Sequence, residues 1–145
     1  MPTAFAAITT ALVDLFEAAP AIAPYVFRAR ERAVPKSVTT AISVQWDGGV
    51  PKMGAIKGAP VDWESRFTVE CYARTATGMP DLAVDPLLLA VYDRIAADTT
   101  LGGLVDNVGE PLLEAEYSAE GDRTGWVRMS YVVEHQTENS TLGQA

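Results

Sequence analysis

From Val61 to Thr75 the chain alternates with a period of two. Trp63, Phe67, Val69, Cys71 and Ala73 fall on one parity, and Glu64, Arg66, Thr68, Glu70 and Arg74 on the other. Successive strand side chains point to opposite faces, so this pattern predicts a long strand with one apolar and one polar face. A sheet built on it must bury the apolar face under another layer.

The remaining elements supply that layer and the rest of the sheet. Phe5, Ile8, Leu12, Leu15 and Phe16 recur at helical spacing, with Thr3 as N-cap and Pro20 as stop, predicting a helix from Thr3 to about Ala18. Tyr25 to Arg32 and Thr39 to Asp47 alternate as strands, and Gly48 to Pro60 reads as a long loop because it holds four glycines and two prolines. A second helix is expected from an Asp85 cap, with Pro86 in its first turn, to about Asp98, presenting Leu88, Val91, Tyr92 and Ile95 to the core. Leu112 to Glu120 and Trp126 to Gln136 flank the turn-forming run 121–125 and read as a hairpin. Leu113, Ala115 and Tyr117 are expected on its buried face, with Val127, Met129, Tyr131 and Val133. The expected fold is therefore α+β, a mainly antiparallel sheet with two helices packed on one face, in the order α-β-β-β-α-β-β. Residues 1–136 form a single domain in this reading, and 137–145 a polar, flexible tail.

A chain of 145 residues, 48% of them apolar, can bury a core of its own without disulfides. The single cysteine, Cys71, cannot form an internal bridge, which suits a reducing compartment or indifference to redox state. The first eleven residues lack the basic start of a signal peptide, and no apolar stretch is long enough to span a bilayer, so a soluble protein made in the cytoplasm is expected. Charge divides the chain. Up to Arg74 there are 8 basic and 7 acidic residues; from Thr75 onward there are 3 basic and 12 acidic. A net charge of −8 with only 3 lysines speaks against a nucleic-acid-binding surface, which needs dense cationic groups.

Residues able to carry chemistry are few. His135 is the only histidine, it comes at the end of a predicted strand, and no Gly-x-Ser-x-Gly elbow accompanies it; a surface or edge position is expected. Cys71 shares the parity of Val69 and Ala73, where a thiol packs as a small hydrophobe. One Cys and one His cannot furnish a usual zinc site, and the run from Asp106 to Glu110 lacks calcium-loop spacing. Asp81 and Asp85 are four apart, but Asp85 is read as a cap. No catalytic, metal or cofactor site is expected.

Three surface features stand out. Arg28, Arg30 and Arg32 share one strand face, read either as a charge-guarded edge or as a subunit contact. Asp106, Glu110, Glu114, Glu116, Glu120 and Asp122 form an acidic block, either a solvated face or the complementary surface. Together they suggest a head-to-tail contact, with Glu114 and Glu116 of one subunit meeting the arginines of the next; such contacts close into a ring when the rotation permits. In the loop, Lys52, Met53, Ile56 and Lys57 suit a segment that orders against a partner, or a floppy hairpin tip.

The helix Asp85-Pro86-Leu87-Leu88-Leu89-Ala90-Val91-Tyr92-Asp93-Arg94-Ile95, the following Asp98-Thr99-Thr100-Leu101-Gly102-Gly103-Leu104-Val105-Asp106 and the closing strand Val127-Arg128-Met129-Ser130-Tyr131-Val132-Val133-Glu134 resemble tail terminator and related minor tail proteins of long-tailed bacteriophages. In element order the resemblance covers nearly the whole chain, and it is sharpest from Asp85 to Asp106. It implies a homohexameric ring at the neck end of the virion tail that caps the tube, halts its polymerisation and offers a surface for head attachment. The implied partners are further copies of the chain, the tail tube protein and a head–tail connector protein, with no sequence-specific nucleic-acid or membrane binding and no catalytic residues to carry over. The alternatives are another head–tail joining or tail-completion component or, from a different class, a small α+β ligand-binding or enzymatic domain whose site is built from scattered residues.

Overall fold

The computed structural model describes residues 2–29, 37–52, 58–118, 123–139 and 141–145. Helix α1 spans Ala4–Glu17, and the Thr3 hydroxyl caps it by accepting from the Ala6 amide at 3.2 Å. Phe5, Ile8, Leu12 and Phe16, spaced three and four apart, are its buried stripe. Its last carbonyls, which no helical amide can reach, are taken up by one guanidinium. Arg94 Nη1 donates to the oxygens of Leu15 at 2.7 Å and Ala18 at 3.0 Å, and Nη2 donates to that of Pro20. A cation at a helix C-terminus also complements the helix dipole.

The sheet contains β1 (Val26–Arg28), β2 (Thr40–Pro51), β3 (Val61–Thr75), β4 (Asn107–Val108), β5 (Leu112–Ser118) and β6 (Arg123–Thr137), with helix α2 (Pro80–Ala97) between β3 and β4. Its order is β1-β2-β3-β6, and β4 and β5 follow one another along the outer edge of β6. Every pairing is antiparallel except that of β1 with β2. The fold is thus the expected α+β arrangement, with the two-residue β4 added. Ile42 and Val44, Phe67, Val69 and Cys71, and Val127, Met129 and Tyr131 lie side by side across β2, β3 and β6, as the register requires. Both helices cover that one face, and their buried side chains join the same core. Each large side chain fully buried there contributes about 1.5–3 kcal/mol at most.

Several boundaries differ from the sequence reading, each for a local reason. Strand β1 is three residues long, because Ala29 turns into the left-handed region at φ 47°. Strand β2 runs on to Pro51 through what reads as loop. A bulge between Trp46 and Gly48 absorbs Asp47, and Gly48, at φ 123°, adopts a backbone conformation that side-chain-bearing residues rarely take. Helix α2 begins at Pro80 rather than at Asp85. A proline pre-sets the first turn, Asp81 faces the positive end of the dipole, and Pro86 is accommodated inside the helix above the exposed Leu82. Asp85 is consequently a mid-helix residue. The buried stripe becomes Val84, Leu87, Val91 and Ile95, and Tyr92 turns outward.

Strand β6 starts at Arg123, so residues 123–125 continue the ladder instead of forming the turn. The polar end, read as a flexible tail, lies back on the domain: Leu142 accepts from the Ala4 amide at 2.7 Å, and the Gln144 side chain donates to the Leu104 carbonyl at 2.8 Å.

Gly125 marks the tightest joint between the layers. A Cβ there would stand 2.7 Å from the carbonyl oxygen of Pro80, the first residue of α2. Gly125→Val is expected to push α2 off β6 and cost about 1–3 kcal/mol, the range for overpacking. It should appear as a lower midpoint in urea unfolding, and an unchanged midpoint would show that the joint is not tight.

Candidate interaction surface

The two helices are too narrow to cover the whole sheet. A helix about 10 Å across spans roughly two strands spaced about 4.8 Å apart. Helix α1 lies over β1 and β2, α2 lies over β3 and β6, and α2 meets β5 only at its margin. All seven residues of β5 are exposed. Leu113 and Tyr117 do share the helix face with Met129 and Gly125 by register, yet they remain 51% and 50% exposed, contrary to the burial expected from alternation. Beside them α2 exposes Leu82 and Leu89 as well. A groove of about 290 Å³ runs between these elements, lined by Leu88, Leu89, Tyr92, Leu113 and Met129. Tyr92 donates to Glu110 at 2.8 Å near its end, and that contact raises the phenol's pKa.

On the other face β5 presents carboxylates. Glu114 is directly opposite Arg128, but Arg128 turns to Glu70 on β3, at 3.2 Å. Glu116 is opposite Trp126. Among the described residues neither Glu114 nor Glu116 has an ion-pair or hydrogen-bond partner. A shallow concavity of about 470 Å³ lies along this side, bounded by Glu70, Glu114, Glu116, Trp126 and Arg128. Beyond β5 the described residues supply no further strand, and among them its outer backbone edge has no partner.

The basic residues singled out by sequence lie elsewhere. Arg28 is at the opposite edge of the sheet and on the helix face, where it donates to Thr10 Oγ1 at 2.5 Å and to the Ala6 carbonyl at 3.0 Å. Arg30 and Arg32 are outside the described residues, as are Glu120 and Asp122 of the acidic block. A ring that continued the sheet edge to edge, helices on one side throughout, would leave Arg28 and Glu114 on opposite faces. Lys52 sits on the open face, 3.6 Å from Glu64 and 3.7 Å from Glu134, and separates two carboxylates that the β3–β6 register sets directly opposite. Met53, Ile56 and Lys57 are outside the described residues.

Cys71, His135 and Ser65 are sealed inside. Cys71 is fully buried among the core side chains, and burial pushes its thiol up to about 12, so it stays protonated. His135, expected at the surface, is 1% exposed. The parity that buries Val127 to Val133 carries on to it, and the N-terminus of α1 closes over it. Phe5 packs edge-on to His135 at 5.4 Å and to Trp63 at 5.2 Å, and stacks on Trp46 at 4.5 Å. His135 Nε2 is 2.7 Å from Ser65 Oγ, while Nδ1 has no partner among the described residues. Ser65 is 0% exposed, so this pair cannot meet a substrate. The residues from Asp106 to Glu110 form β4 and the approach to β5. Among the described residues no three His, Cys, Asp or Glu side chains are grouped to hold a metal, and no helix is long and apolar enough to cross a membrane.

Burial lowers the pKa of His135, and the charge of Asp106 opposes that only in part. The folded protein therefore holds the imidazole neutral, while the unfolded chain binds a proton as pH falls below about 6.5. Stability should fall as pH drops below about 6.5, a region in which no other histidine contributes. Thermal unfolding of His135→Gln should lose that slope; an equal slope in both proteins would place the titration elsewhere. Compared with models of known protein families and with curated proteins, the chain matches none.

Proposed function

We propose that the chain is a structural tail terminator of a long-tailed phage. It would assemble into a hexameric ring at the neck end of the tail, cap the tube, stop its polymerisation and present a surface for head attachment. The observation that carries this reading is the β5 edge, a seven-residue strand exposed on both faces and, among the described residues, unpaired on one side, with apolar side chains of α2 next to it. An unpaired edge of that length is a liability in a protein that works alone, and an assembly surface in one that does not. The resemblance from Asp85 to Asp106 supports the same reading, since it covers α2 and the turns leading to that edge. In this reading the protein acts by binding and not by catalysis, which agrees with the burial of Cys71, His135 and Ser65.

Another head–tail joining or tail-completion role would use the same surface. A ligand-binding role draws on one observation, the shallow concavity bounded by Glu70, Glu114, Trp126 and Arg128. Light scattering at several salt concentrations, with electron microscopy of the same samples, separates these. The terminator reading expects a six-fold ring, formed by the chain alone or on the end of tubes of its cognate tube protein, and tubes of uniform length once it is added. A monomer that neither binds tube ends nor limits their growth would overturn it.

A further inference from the structure

We propose that the free edge of β5 is a strand-accepting site for an extended segment of a partner protein, one that alternates basic residues toward the open face with apolar residues toward α2. The site is the same β5 edge that carries the terminator reading, but its test reads strand addition at that edge and is decided whether or not the chain forms a ring. In an antiparallel pair the backbone groups of a strand point alternately to either side, so β5, bonded to β6 on one side, offers amides and carbonyls on the other. An added strand would satisfy them, and side-chain pockets on its two faces would set its sequence.

Both pockets are present. On the open face Glu114 and Glu116 are two residues apart, exposed, and without a partner among the described residues; a lysine or arginine at alternate positions of an incoming strand would lie beside each. On the helix face the groove between Leu113 and Leu89, the latter 59% exposed, receives the apolar residues in between. Pro111 fixes one end, since it has no amide to extend the ladder before Leu112.

Charge also decides against the simplest competitor. Antiparallel pairing of β5 with β5 of a second copy keeps the two open faces on one side. With Ala115 at the centre it sets Glu114 opposite Glu116 twice, four carboxylates in one patch. The same two residues that attract a basic strand therefore repel a second copy of β5.

The test uses the intact chain and two acetylated eight-residue peptides, one alternating lysine with valine and one alternating glutamate with valine. The lysine peptide is expected to bind at least tenfold more tightly by calorimetry, and to slow hydrogen exchange at amides of 112–118 but not of β1. The double variant Glu114→Lys, Glu116→Lys should reverse the preference. Leu89→Lys, altered at an exposed position, should weaken lysine-peptide binding about tenfold with unchanged circular dichroism. Equal binding of the two peptides, binding that leaves the β5 amides unprotected, or a dimer of the peptide-free chain that protects β5 would each overturn the proposal.

Discussion

Everything in this fold is hung on one ladder, the pairing of β3 with β6. Each strand is fifteen residues long, and every residue of one has its partner in the other. Burial alternates without a break from Val127 to Val133. On β3, Phe67, Val69, Cys71 and Ala73 share that face, although Thr68 and Tyr72 are buried on the other. A register slip of one residue would therefore turn the core set of β6 away from the helices. That ladder defines one apolar face, and the two helices are placed by the need to cover it. Their combined width runs out before β5, and the exposed edge follows from this mismatch between two helices and a five-strand breadth.

The helices are fixed to each other as well as to the sheet. Arg94 of α2 satisfies the terminal carbonyls of α1, an arrangement that needs both elements in place at once. At the other end of α1, Phe5 joins Trp46, Trp63 and His135 in one aromatic group on three strands, and the carbonyl of Leu142 takes the Ala4 amide. Helix α1 is thus anchored at both ends, while the far side of β5 has nothing laid against it among the described residues.

How far the sequence could be read follows from what periodicity encodes. It fixes which residues share a face, and so it predicted β3, β6 and the core position of Cys71. Extended two residues beyond Val133, the same parity places His135 in the core; the residue type, commonly solvated, argued the other way and was outweighed by the cover that Phe5 provides. Periodicity does not say whether a face is covered. Leu113 and Tyr117 alternate as well as any core pair, and only the reach of α2 decides their exposure. Turn chemistry misled where packing overruled it. Gly48 and Gly125 look like loop residues, yet one holds a bulge within β2 and the other admits the start of α2. The acidic residues Glu114 and Glu116 were legible as a surface. That Arg28 lies at the opposite edge and on the opposite face, occupied by α1, was not, because strand order and pairing direction leave no mark in a local pattern.

Hydrogen exchange resolved to single residues tests the central claim most directly, that a rigid β3–β6 ladder ends in an uncovered edge. The account predicts that amides of 67–73 and 127–133 exchange only with global unfolding. Alternate amides of 112–118 in the unassembled chain should exchange at nearly unprotected rates, with their in-between neighbours held by β6. Uniform protection along β5 in a monomer would contradict it, because the outer edge would then already be covered.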